Sequence, residues 1–154
     1  MQKTHPSYLQ LREAAEVKIT HLSLQGLLAP GSTLAMNLEA RTLSLLIDGP
    51  RLIMQQQLSV NEMYMLVPLL ESYPYYCPYE VLLAHISSNT ITEASISRCR
   101  QRLQEAMSSG TWQQELRPIR RALSSLRNKL YHLDLGISNV RERGCSLVSL
   151  YKRP

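Results

Sequence analysis

Apolar periodicity changes once along this chain, at Ser59, and that change sets the fold class. Over residues 34–58 the apolar residues fall in short runs, cut by turn residues at Asn37–Arg41 and at Asp48–Pro50. This pattern predicts an antiparallel sheet of three or four strands. The Asp48-Gly49 pair suits a tight hairpin, because both residues tolerate positive φ. From Ser59 the repeat lengthens. Met63, Leu66, Val67 and Leu70 stand at i, i+3, i+4 and i+7, the spacing of one buried helix face. Ser59 followed by Glu62 three residues on is a capping box. Strands followed by helices predict an α+β domain.

Further helices follow. Pro68 sits inside the first and should kink it by deleting one backbone hydrogen bond. Pro78 can open a second as its first helical residue, with Val81, Leu82 and Ile86 as its buried face. A third starts at Thr92, with Ile96, Leu103 and Met107 as a thin apolar stripe, and ends at Ser108–Thr111. The last is predicted to begin near Pro118. Its stripe is Ile119, Leu123, Leu126 and Leu130, and its opposite face carries Arg120, Arg121, Ser124, Arg127 and Asn128. Two strand-like runs then flank the turn Arg141–Gly144, where Gly144 can supply a positive φ. Ahead of the sheet, residues 7–16 suit a short helix capped by Ser7, and residues 17–25 suit a strand. Residues 1–33 read together as an N-terminal arm packed on the domain or on a partner, leaving 34–154 as the domain.

The charge is divided unevenly. The chain carries +5 overall, with −3 in residues 1–97 and +8 in residues 98–154. An acidic front and a basic back form the electrostatic footprint of a nucleic-acid binder. Cys77, Cys99 and Cys145 have no zinc-ligand spacing and are odd in number. They read as reduced thiols in or near the core. The four histidines form no metal-ligand pair, and no phosphate loop or nucleophile elbow is present. No acid, base or nucleophile constellation points to an enzyme, and no cofactor is expected. No apolar run is long enough to span a bilayer and no signal sequence is evident, so the expected setting is the cytoplasm.

Strands, three helices and a C-terminal hairpin, in that order, are the order of a winged helix. The residues resemble one family in particular, the OmpR/PhoB-type effector domain of bacterial transcription regulators. "LSVNEMYMLVPLLESYP" is similar to its first helix and "YYCPYEVLLAHI" to its second. Leu123-Ser-Ser-Leu126-Arg127-Asn-Lys129-Leu130 resembles its recognition helix, and Val140-Arg141-Glu-Arg-Gly144-Cys-Ser-Leu147 its wing. The likeness covers roughly 34–151. It implies a winged helix-turn-helix with three core helices, a recognition helix at about 117–131 in the major groove and a wing at about 137–150 on the minor groove. It also implies a sequence-specific regulator that binds double-stranded DNA, as a homodimer, with RNA polymerase as a possible contact. Three departures stand out. Glu142 replaces the first wing glycine, Cys145 replaces the wing tyrosine, and Ser125 falls where the family has a base-contacting arginine. Residues 87–116, usually a short connection, should carry an inserted helix. The 33 residues before the sheet are too few for a receiver domain.

Within that frame Arg117, Arg127 and Lys129 are candidates for phosphate. Arg120, Arg121, Ser124, Ser125 and Asn128 are candidates for the groove, since arginine pairs with guanine edges and small polar residues reach bases or backbone. Arg141 falls on the wing arginine of the family, with Asn139 and Arg143 beside it; a narrow minor groove attracts such cations. Arg98, Arg100 and Arg102 cannot share one face and read as solvated. Trp112 is the candidate for partner or dimer contact, as tryptophan is enriched at binding hot spots. The competing reading is a winged-helix protein-interaction module with weak or no specific DNA binding.

Overall fold

The computed structural model describes residues 11–14, 17–22, 24 and 26–151. Five strands come first: β1 (Leu11–Ala14), β2 (Val17–Leu22), β3 (Ser32–Asn37), β4 (Thr42–Ile47) and β5 (Arg51–Gln57). They form an antiparallel meander in sequence order. Asp48 and Gly49 both adopt positive φ, 50° and 88°, and close the β4–β5 hairpin as their chemistry predicts. Arg41, at φ 55°, ends the turn before β4. The sheet reaches back beyond the expected core strands, because β2 pairs with β3 from Leu22↔Leu34 to Ile19↔Asn37. Residues 11–14 are extended and paired with β2, not helical as expected. An antiparallel partner satisfies the backbone groups that a helix would have bonded internally. The proposed Ser7 cap lies outside the described residues.

Four helices follow, with a two-residue strand between the first pair: α1 (Val60–Ser72), β6 (Cys77–Pro78), α2 (Tyr79–Ser87), α3 (Glu93–Ser109) and α4 (Trp112–Tyr131). The chain ends in the hairpin β7 (Leu135–Val140) and β8 (Gly144–Ser149), which forms a second sheet in the order β6-β8-β7. The expected Ser59–Glu62 capping box is present at the start of α1, and Thr92 with Ser95 forms another at the start of α3. Gly110, at φ 80°, ends α3 in the left-handed region. Pro78 is the residue before α2 and not its first. The α3 stripe differs from the expected one: Cys99, Leu103 and Ala106 are buried, Ile96 is half-buried, and Met107 is 51% exposed.

The start of α4 corrects the sequence reading. The helix begins at Trp112, more than a turn earlier than expected, and Pro118 lies exposed inside it. Leu116, Ile119, Leu123, Leu126 and Leu130 are all buried, with spacings of three and four residues. That continuous apolar seam holds the helix through the proline, whose missing N–H removes one hydrogen bond. One core joins both parts of the molecule. Leu22, Leu34, Met36 and Leu43 of the sheet belong to the same buried cluster as Met65 and Leu66 of α1, Leu82 of α2 and Leu126 of α4. Cys77, Cys99 and Cys145 are buried in it, and none of them forms a disulfide.

Gly144 is needed for a different reason from the one its sequence position suggests. Its φ is not positive; a Cβ there would stand 1.9 Å from the Cys77 carbonyl oxygen. Close approach of β8 to β6 therefore requires glycine. The positive φ of the turn belongs to Glu142, at 59°, the position where the resemblance leads one to expect glycine.

Candidate nucleic-acid interface

The seam that buries one side of α4 leaves a complementary stripe in water. Gln113, Arg117, Arg120, Arg121, Ser124, Asn128 and Tyr131 are all exposed. They recur at three- and four-residue steps and so share a face. A shallow trough along this face is lined by Gln113, Arg117, Arg120, Arg121 and Ser124, with no carboxylate among them. Twenty residues at 1.5 Å rise make α4 roughly 30 Å long, enough to lie along a groove of a duplex.

Three of the anticipated contacts face elsewhere. Lys129 Nζ donates to Glu62 Oε1 and to the Gln57 carbonyl, both at 2.6 Å. Ser125 Oγ donates to Glu62 Oε2. Glu62 is only 1% exposed, and it also accepts from the Ser59 amide at 2.6 Å. Burial pushes its carboxyl up, but the bonds from Lys129, Ser125 and Ser59 outweigh this and hold it below its ordinary value of 4.5. The cluster joins β5, α1 and α4; it takes Lys129 off the exposed stripe and commits the hydroxyl of Ser125, a residue that stays exposed, to Glu62. Arg127 is turned toward the hairpin. Its Nη2 donates to Asn139 Oδ1 at 2.8 Å and its Nε to the Ile137 carbonyl at 3.3 Å.

Those last bonds matter for placement, because they set the hairpin beside α4. The hairpin turn is fixed at two further points: Arg143 N donates to Val140 O, and Tyr79 N donates to Arg143 O, each at 2.9 Å. Arg141 consequently shares a cleft with Gln113, Arg120 and Asn139, so the cationic stripe runs from the helix onto the turn. Arg143 lies on the other side of that turn, facing Arg100, Leu103, Met107 and Trp112 across a second cleft. The Trp112 ring is half-buried and meets Tyr79 edge-on at 6.0 Å.

On α3, Arg100 pairs with Glu80 at 3.1 Å and Arg102 with Glu115 at 2.8 Å, so both are engaged within the molecule. Two exposed members of the α4 stripe were not anticipated. Gln113 precedes the helix start that Pro118 predicts, and joins the stripe because α4 begins at Trp112. Tyr131, 67% exposed, is in phase with Ser124 and Asn128, and that phase was already visible in the sequence.

Among the described residues, no group of His, Cys, Asp and Glu is placed to hold a metal ion. Among the same residues, no helix is long and apolar enough to cross a membrane. Comparison of the chain with protein-family models, with curated proteins and with solved structures found no match.

Proposed function

We propose that this protein is a winged-helix, OmpR/PhoB-like regulator of transcription that binds double-stranded DNA. In this reading α1, α2 and α4 are the three core helices and α3 is the insertion. α4 enters the major groove and the β7–β8 hairpin lies as the wing over the flanking minor groove. The observation that carries the reading is the carboxylate-free trough of Arg117, Arg120 and Arg121 on α4, continued to Arg141 by a cleft that holds one carboxylate, Glu142. Guanidiniums exposed in a row on one helix displace condensed counterions from phosphates. Arg121, Ser124 and Asn128 face outward mid-helix and are the candidates for base edges. Arg117 serves the backbone, and Arg141 the minor groove.

A specific observation favours a second reading, a module that binds another protein. Leu103, Met107 and Trp112 line a cleft at the hairpin turn, and half of the Met107 surface is in water. RNA polymerase or a second copy of this chain would be the partner. Selection from a pool of random duplexes separates the two. DNA recognition predicts retention at low salt and enrichment of a motif. If the protein retains no duplex at low salt, the DNA reading fails and the protein-binding module stands.

A further inference from the structure

Between the first turns of α4 and the hairpin turn lies a cleft of about 330 Å³. Gln113 and Arg120 line it from the helix, Asn139 and Arg141 from the hairpin. The direction of its hydrogen-bonding groups sets it apart from an ordinary polar groove. Arg120 Nη1 donates to Gln113 Oε1. Asn139 Oδ1 accepts from Arg127 Nη2 at 2.8 Å and from the Cys145 thiol at 3.4 Å. Both carboxamides use their oxygen atoms within the protein, so their amino groups are the donors still available to a ligand. An amide amino group and a guanidinium only donate. Four of the lining side chains thus present mainly donors, and two of them are cationic.

Two guanidiniums against one carboxylate, Glu142, leave the cleft net positive, which suits a group that only accepts and is negative. We propose that the cleft is a seat for a phosphate group, held by Arg120 and Arg141 and flanked by the amides of Gln113 and Asn139. Glu142 is the single carboxylate among the lining residues and opposes an anion. The seat makes Arg120 a phosphate ligand and not a base reader, and moves Arg141 from the minor groove to the backbone, which leaves sequence reading to Arg121, Ser124 and Asn128. A backbone phosphate of a duplex lying against α4 is the source that fits the DNA reading; a free phosphoryl anion has the same chemistry. The seat itself does not depend on that reading.

Trp112 is the only tryptophan in the chain and lines this cleft, so its emission reports occupancy. The full chain is titrated with inorganic phosphate at constant ionic strength, against chloride, following Trp112 emission and the backbone amide NMR shifts of residues 112–113 and 139–143. The seat predicts a saturable change, weakened at least about tenfold in Arg120→Gln/Arg141→Gln and tightened in Glu142→Gln, because each tenfold is only about 1.4 kcal/mol. A purely structural role for these residues gives no gain in Glu142→Gln. In the second arm, single phosphates of a bound duplex are replaced by uncharged methylphosphonates. A position whose neutralisation weakens the wild type but not the double variant identifies the duplex backbone as the source. Phosphate binding without such a position supports the seat and assigns it to a free phosphoryl anion. If the wild type binds no duplex, the DNA reading fails while the phosphate titration still decides the seat. No response to phosphate, together with equal losses in wild type and variant at every neutralised position, overturns the proposal.

Discussion

Along α4, Lys129 and Arg127 point back into the molecule, whereas Arg117, Arg120 and Arg121 stand in water. All five are cations on one helix, and in the sequence they form a single basic run. The inward pair is committed to structure: Lys129 neutralises a buried carboxylate, and Arg127 ties the helix to β7. The outward three have no carboxylate beside them in the trough they line. Net charge thus overstates the exposed cationic surface, because part of it ties α4 to β5, α1 and β7.

The sharpest way to break this division is Lys129→Ala. It leaves Glu62 buried with its charge partner gone and should cost about 2–4 kcal/mol of stability, less than a fully buried pair because the lysine is one-third exposed. Denaturant unfolding measures it. A loss no larger than that of a surface substitution would mean that the inward pair is not structural. The same cluster has a pH signature. The folded-state pKa of Glu62 lies below its ordinary 4.5. Its contribution is therefore complete above that value and is lost as pH falls through the lower folded value. Wild-type stability should drop more steeply in acid than that of Glu62→Gln; parallel acid profiles would contradict the assignment.

Gly144→Ala ranks next. The added methyl meets the Cys77 carbonyl, which is backbone and cannot swing aside. The strands must part, at about 1–3 kcal/mol, and the hairpin should loosen from β6. Hydrogen exchange at Cys77 and Cys145 would show it. Unchanged protection there would mean that β8 does not set the hairpin position.

The outward flank predicts the smallest change in stability. Arg121→Ala should stay within about 0.5 kcal/mol of wild type and yet alter which duplexes are retained. Substantial unfolding in this variant would place Arg121 with the inward pair and erase the contrast.

What the sequence revealed depended on range. The Ser59–Glu62 box, the Asp48-Gly49 turn and the Ile119–Leu130 stripe were all legible, because each is decided by residues a few positions apart. Proline rules misplaced the start of α4: Pro118 looked like a first residue, but the apolar seam already held at Leu116. The strand at Leu11–Ala14 was hidden because pairing with β2, and not local propensity, extends it. Ser125 and Lys129 meet a carboxylate more than sixty positions away, and nothing near them in sequence marks the contact. Similarly, Gly144 advertised a turn, while its necessity comes from β6 packing against it.

The salt dependence of duplex binding tests the central claim most directly. If Arg117, Arg120 and Arg141 each displace one counterion, the log–log slope of affinity against salt should be about −2.7, at roughly −0.9 per phosphate. Replacing Arg117 and Arg120 together by glutamine should make it shallower by about two contacts, with unfolding unchanged. A slope indistinguishable from zero between about 50 and 200 mM salt, or one that the double substitution leaves unaltered, would contradict the claim that this flank of α4 grips duplex DNA.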